Sequence, residues 1–345
     1  CQSAPAGDTL IMLLDVKNLG VKYRMDGQQI HAVNRLSFQL QENEIFGVVG
    51  ESGCGKSSLI KALLRLVARN GSVEADSVNF QGQELLQMPM EEFRKNILWQ
   101  KIALVPQSAM NSLNPVYKVG PQIVEAICAH VPMPDHQARD RVHELFESVG
   151  LQRDLFDSYP HQFSGGMRQR AMIAMALALD PKLIIMDEPT TGLDVLVQDK
   201  ILKTLRRIKD ETKCSMMIIS HDIAIMSEIA TRIGVMYGGS FVEIAPTMDL
   251  FKDPSHPYTM GLTNAFPSIR ELGKELISIP GSPPVMVREE NKCWFEPRCP
   301  FAADGCRQSF PAPTMTGANH VVSCLRSEER EMLAQLAKEK ATWTS

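Results

Sequence analysis

Residues Gly50-Glu51-Ser52-Gly53-Cys54-Gly55-Lys56-Ser57 constrain this chain more than any other stretch. They follow an unbroken apolar run, IFGVV, and precede SSLIKALLRLV, whose apolar spacing is helical. Strand, glycine loop and helix in direct succession define the start of an α/β unit. Glycines let the backbone curl so that several N–H groups point inward, and the helix presents its positive end to the same point. The product is an anion cradle. Lys56 is placed to reach the outer phosphates of a triphosphate, and the hydroxyl of Ser57, with Ser58 beside it, to meet Mg²⁺.

The rest of the chain supplies a matching frame. Alternation in LLDVKNLGVKY and HAVNRLSFQL predicts antiparallel strands with one wet face. IALVP, LIIMD, SMMIIS and IGVMYGG read as buried strands, with helices expected over Gly166–Leu179 and VQDKILKTLRRIKDE. Strands alternating with helices predict an α/β fold with a mainly parallel sheet covered on both faces. Residues 108–165 are mostly helical in pattern and predict a helical insert. From Pro254 proline becomes frequent and periodicity weak, which marks a linker and a small irregular C-terminal region. Residues 1–11 read poorly as a natural start, and Met12 directly precedes a strand, so 1–11 are set aside as a remnant ahead of the native initiator.

Composition excludes some classes. A formal charge of −4 with no basic patch gives no attraction for nucleic acid. No run of ~18 apolar residues and no secretory signal is present, so a cytosolic protein is expected.

Leu183-Ile184-Ile185-Met186-Asp187-Glu188 is an apolar strand closing on two acids, and ligands of open α/β sheets bind at that edge. Alone it is an ordinary strand end; with the glycine loop upstream it assigns Asp187 to Mg²⁺ and Glu188 to the attacking water as general base. Phe163-Ser164-Gly165-Gly166-Met167-Arg168-Gln169-Arg170 places a serine and two glycines at a helix start, a second anion site.

This last segment resembles the signature sequence of ATP-binding cassette (ABC) transporter ATPases, a branch of the P-loop nucleoside triphosphatases. The resemblance runs from Leu13 to Val242. It implies a cassette over 12–255, made of a mainly parallel core, an antiparallel β subdomain and a helical subdomain, with an extension over 256–345. It implies that Gln107 senses Mg²⁺ and water, that His221 contacts the γ-phosphate and supports Glu188, and that Asp194 communicates across a dimer. Two cassettes then pack head to tail, so that Ser164, Gly165, Gly166 and Met167 cover the nucleotide held by the other subunit. Tyr23 is expected to stack on adenine, with Phe38 and Phe46 as nearby competitors.

A narrower likeness follows. FSGGMRQR, SLNPVYKVGPQI, HPYTMGL, ISIPGSPP and CWFEPRCPFAADGC are all similar to ATPase subunits of the dipeptide, oligopeptide and nickel permeases. Gly192 replaces the alanine usual in the segment ahead of Asp194. The family implies two transmembrane permease subunits, a second ATPase subunit that is a paralogue or a copy, an extracytoplasmic binding protein, and a place on the cytoplasmic face of the membrane. Oligosaccharide importers share these features, and non-transport ABC ATPases and an iron–sulfur redox sensor are rival readings.

Cys293, Cys299, Cys306 and Cys324 have five, six and seventeen residues between successive members. No CxxC pair favours zinc, and wide spacing suits a bulkier object. Relatives with this tail carry a [4Fe-4S] cluster, whose ligand count is four thiolates. Structural zinc and unligated thiols are the alternatives.

Overall fold

The computed structural model describes residues 12–25, 27–107, 112–265, 277–284, 286–287 and 291–344. The set-aside N-terminal residues 1–11 and the first residues of the expected helical insert, 108–111, lie outside that range.

The chain begins with β1 (Met12–Met25), β2 (Gln28–Gln41), β3 (Ile45–Val49), α1 (Lys56–Leu63), β4 (Gly71–Glu74), β5 (Ser77–Phe80) and β6 (Gln83–Glu84). There follow α2 (Met90–Asn96), β7 (Ile102–Val105), α3 (Val119–His130), α4 (Asp135–Ser148), α5 (Gly165–Leu177), β8 (Leu183–Asp187) and α6 (Val195–Thr212). The remainder comprises β9 (Ser215–Ser220), α7 (Ile223–Ile229), β10 (Arg232–Tyr237), β11 (Ser240–Pro246), α8 (Thr247–Lys252) and α9 (Pro257–Asn264). It closes with α10 (Asp304–Gln308), β12 (Thr314–Gly317), β13 (His320–Val322) and α11 (Arg330–Leu336).

Two sheets result. One is antiparallel, ordered β2-β1-β5-β6 with β4 also on β1. The other has the order β12-β13-β11-β10-β3-β9-β8-β7. Its β10, β3, β9, β8 and β7 are parallel neighbours, whereas β11, β13 and β12 continue it antiparallel.

Every residue of β3 is buried. Ile45 and Val49 join one apolar cluster with the helices α3 to α6, while Phe46 and Val48 join another with α1 and the antiparallel sheet. β8 and β9 divide their side chains in the same way. Burying each large side chain contributes about 1.5–3 kcal/mol, so a one-residue slip of register, which exchanges the faces, is strongly opposed. That fixed register is what aligns the strand ends.

The segment beyond Pro254, separate by its sequence pattern, is packed onto the cassette. Its β13 pairs with β11, matching Glu243 with Val322. The buried Glu243 carboxylate binds three donors: the amides of Ser255 (2.7 Å) and His256 (2.9 Å), and Nε2 of His320 (2.7 Å). Phe295, fully buried, sits 5.2 Å from the Tyr237 ring and 5.3 Å from that of Tyr258. Tyr258, Phe295, Leu333 and Trp343 of the extension belong to the same apolar cluster as the cassette helices, so the extension shares the core of the cassette.

Candidate nucleotide site

Parallel pairing carries the site residues to one edge. Val105 pairs with Met186, which brings Gln107 and Glu188, each two residues further on, opposite one another. Asp187 pairs with Ile219 and Val49 with Ser220, so His221 and the loop opening at Gly50 emerge beside them. The four predicted strand ends thus deliver their polar residues together, at the carboxyl edge where α/β sheets bind ligands.

The glycine loop has the expected form. Gly55 caps α1 at φ 108°, and a Cβ there would stand 2.2 Å from the carbonyl oxygen of Ala32, so only glycine fits. Lys56 is buried, and its Nζ donates to the carbonyls of Gly50 (2.6 Å) and Glu51 (2.9 Å). Cys54 is buried too, and burial pushes its thiol pKa up, against the nearby Lys56 charge, so it is a packing residue. The Ser57 hydroxyl donates to Oδ2 of Asp187 at 3.1 Å. Burial raises the Asp187 carboxyl, opposed by that hydrogen bond and by the charge of Lys56.

Around Glu188 the structure assembles a ring of donors. Gln107 Nε2 donates to Oε2 at 3.2 Å, Thr191 Oγ1 to the same oxygen at 3.0 Å, and Nδ1 of His221 lies 3.0 Å from Oε1. Burial alone would lift this carboxyl; the hydrogen bonds from His221 and Thr191 hold it below the ordinary carboxylate range. Glu188 has φ 49°, a left-handed conformation that costs a non-glycine residue roughly 1–3 kcal/mol and concentrates at functional sites. Its own N–H still reaches the Ile219 carbonyl at 2.9 Å, which fixes the bend. His221 occupies the turn between β9 and α7, held by Asp222, whose carboxylate caps α7 through the amides of Ala224 (2.8 Å) and Ile225 (3.3 Å).

Ser164 caps α5, its hydroxyl accepting from the Met167 amide at 3.3 Å while staying exposed. Gly165 opens that helix. A Cβ on Gly166 would meet Val197 Cγ1 at 2.3 Å, so glycine there lets α5 lie directly on α6. Asp194 caps α6 through the Val197 amide at 3.0 Å. The next two residues, Val195 and Leu196, are 79% and 75% exposed, an apolar step beside Asp194. Tyr23 is half-buried on β1 opposite Gly71. Phe38 and Phe46 stack on each other at 5.5 Å inside the core, which removes both as partners for a base.

The cysteines also converge. Cys293, Cys299, Cys306 and Cys324 line one small pocket with His256 and Phe295, and all four are unpaired thiols. Burial, reinforced by the neighbouring cysteines, pushes Cys293 up to about 11 and Cys299 and Cys324 up to about 12. Among the described residues, no three His, Cys, Asp or Glu side chains meet closely enough to hold one metal ion.

Three contributors lie outside the sequence-based site. Thr191 stands in the loop ending at Asp194, but nothing in its sequence marks it as a donor to Glu188. Tyr258 accepts from the Glu51 amide at 3.1 Å, and Arg298 forms a paired contact with the Glu51 carboxylate at 2.7 and 3.0 Å. Both are about 200 or more positions away in the chain, and pairs so distant leave no pattern of local period.

Among the described residues no helix is long and apolar enough to cross a membrane. Residues 33–191 match the family model described as ABC transporter, and 242–306 match the oligopeptide/dipeptide transporter C-terminal region. A putative peptide import ATP-binding protein of Brucella abortus is 43% identical over 88% of this chain and 92% of its own. The dipeptide transport ATP-binding protein DppD of Escherichia coli is 40% identical over 90% of this chain and 96% of its own. A dimeric ATP-binding cassette solved in a post-hydrolysis state with ADP and Pi superposes with a TM-score of 0.59 and 25% identity, covering 68% of this chain and 99% of that one. The glycine loop, the acids beside it and these likenesses agree: the chain belongs to the ABC transporter family, as an ATPase subunit that carries the oligopeptide/dipeptide transporter C-terminal region.

Proposed function

We propose that this ATPase energises import of dipeptides or oligopeptides through separate transmembrane permease subunits, working at the cytoplasmic face of the membrane. The match of residues 242–306 to the oligopeptide/dipeptide transporter C-terminal region supports the cargo, and the observation that carries the motor is the ring on Glu188: one carboxylate held by Gln107, Thr191 and His221 beside the Ser57–Asp187 pair. Such a carboxylate is ionised and aimed, as a general base for water must be.

Each residue then has a task. Amides from Gly50 to Ser57, with Ser58, cradle the phosphates, and Lys56 leaves the loop carbonyls for phosphate oxygens. Ser57, Asp187 and, through water, Gln107 offer the hard oxygen ligands that suit Mg²⁺, which supplies charge neutralisation on the phosphates when bound. Tyr23, the half-exposed aromatic of the first sheet, stacks on adenine. Ser164 to Met167 and Asp194 serve the nucleotide of a second cassette, a paralogue or a copy. The exposed Val195 and Leu196 beside Asp194 support a covered interface there. Binding energy closes the pair and drives the permease, and hydrolysis resets it.

Cys293, Cys299, Cys306 and Cys324 line one pocket, and a [4Fe-4S] cluster is the proposed occupant, with structural zinc as the alternative. Its part is structural: it ties together a proline-rich segment with little core of its own.

The test is ATP turnover of the chain assembled with its permease subunits and the extracytoplasmic binding protein. Stimulation by peptides supports the reading. Stimulation only by oligosaccharides or nickel chelates assigns the same motor to a different cargo and overturns the peptide assignment.

A further inference from the structure

Glu51, the second residue of the phosphate loop, has all three of its polar groups committed. Its amide donates to the Tyr258 hydroxyl at 3.1 Å, its carbonyl accepts from Lys56 at 2.9 Å, and its carboxylate takes both terminal nitrogens of Arg298 at 2.7 and 3.0 Å. Two of those partners come from beyond Pro254, and Arg298 itself stands between Cys293 and Cys299.

We propose that Arg298 is a positioning residue of the triphosphate site, which neutralises Glu51 and anchors the loop backbone beside Lys56. The inference relies on the reading of Gly50 to Ser57 as the phosphate cradle.

The geometry of Arg298 is that of a fixed strut. Nε donates to the Pro280 carbonyl at 2.7 Å, Nη1 also reaches the Tyr237 hydroxyl at 3.3 Å, and Nη2 the Gly281 carbonyl at 3.4 Å. The guanidinium lies over the Tyr237 ring at 5.7 Å, and its side chain is 7% exposed. A planar fork meeting a carboxylate with two parallel hydrogen bonds fixes direction as well as charge, which a lysine cannot do.

The chemistry of the loop makes that contact matter. A carboxylate in a loop built to hold a triphosphate repels the ligand unless a cation covers it. Remove Arg298, and the Glu51 carboxylate in the loop is left without its covering cation, while the Glu51 peptide loses one of its two outside anchors. Tyr258 alone then holds the segment. Arg298 touches neither the reacting atoms nor the phosphates; it acts through Glu51. Its place in the Cys293–Cys299 turn also explains what the extension does for the cassette: it completes the loop wall from outside.

The experiment is an equilibrium titration of the full chain with Mg²⁺-ATP, comparing wild type with Arg298→Met, Arg298→Lys, Glu51→Gln/Arg298→Met and, as a control, Arg330→Ala. Arg330 tethers the same extension to Asp253 at 3.2 Å, away from the loop. The expected result is an ATP Kd raised about tenfold or more in Arg298→Met, an intermediate value in Arg298→Lys, recovery towards wild type when Glu51→Gln is added, and no change in Arg330→Ala. Recovery by removing the second charge is something a merely structural tether does not give. Wild-type affinity in a folded Arg298→Met protein overturns the proposal, as does equal weakening by Arg330→Ala or a double variant no better than the single. If wild type itself fails to bind ATP, the cradle reading fails instead, so the two failures are distinct.

Discussion

Nδ1 of His221 lies 3.0 Å from Oε1 of Glu188, joining the end of β9 to the end of β8. β8 and β9 run parallel in fixed register, and Asp222, the residue after His221, caps the next helix, so the backbone that carries His221 is set beside Glu188.

Thr191 shares Oε2 of Glu188 with Gln107. Thr191→Val keeps the shape of the loop and removes one donor, so the carboxylate is less firmly aimed. The expected outcome is a drop in kcat of about tenfold with KM for ATP little changed, because the lost contact acts on the water and not on nucleotide binding. Steady-state ATP turnover in the assembled complex checks it.

Alkaline stability follows from buried hydroxyls and thiols. Burial, aided by the Glu51 charge, pushes the Tyr258 pKa above its usual value of 10.0, and burial pushes Cys214 up to about 12 from 9.0. A folded pKa above the unfolded one contributes stability that is intact below the unfolded pKa and is lost as pH rises through the folded value. Stability is therefore expected to fall as pH climbs above 9 for Cys214 and above 10 for Tyr258. Cys214→Ala flattens the first part of that decline, measured as Tm against pH, and Tyr258→Phe flattens the second.

Much of the cassette was legible because it is written in local patterns. Unbroken apolar runs marked β3, β8 and β9, and acids or a histidine at their ends marked the edge that binds ligand. Helix α5 starts at Gly165, one residue before the expected Gly166, since the Ser164 cap sets the first turn; it ends at Leu177, two residues short of the expected Leu179. The addition of β12 and β13 to the main sheet was not legible: strands of four and three residues carry too short a pattern to separate from loop. Nor could Arg298 be matched to Glu51, because an arginine in a proline-rich stretch has no sequence sign of its partner. The cysteine spacing singled out four thiols, and those four line one pocket.

That pocket carries its own prediction. Anaerobically purified chain is expected to hold about four iron atoms with a brown absorbance, and Cys324→Ser to lose iron and lower Tm. Stoichiometric zinc without iron contradicts the cluster assignment.

Glu188, held by three side chains, is proposed to activate water for ATP hydrolysis. The direct test is Glu188→Gln in the assembled transporter: ATP binding should persist while turnover falls by about a hundredfold or more. Turnover equal to wild type would contradict the account.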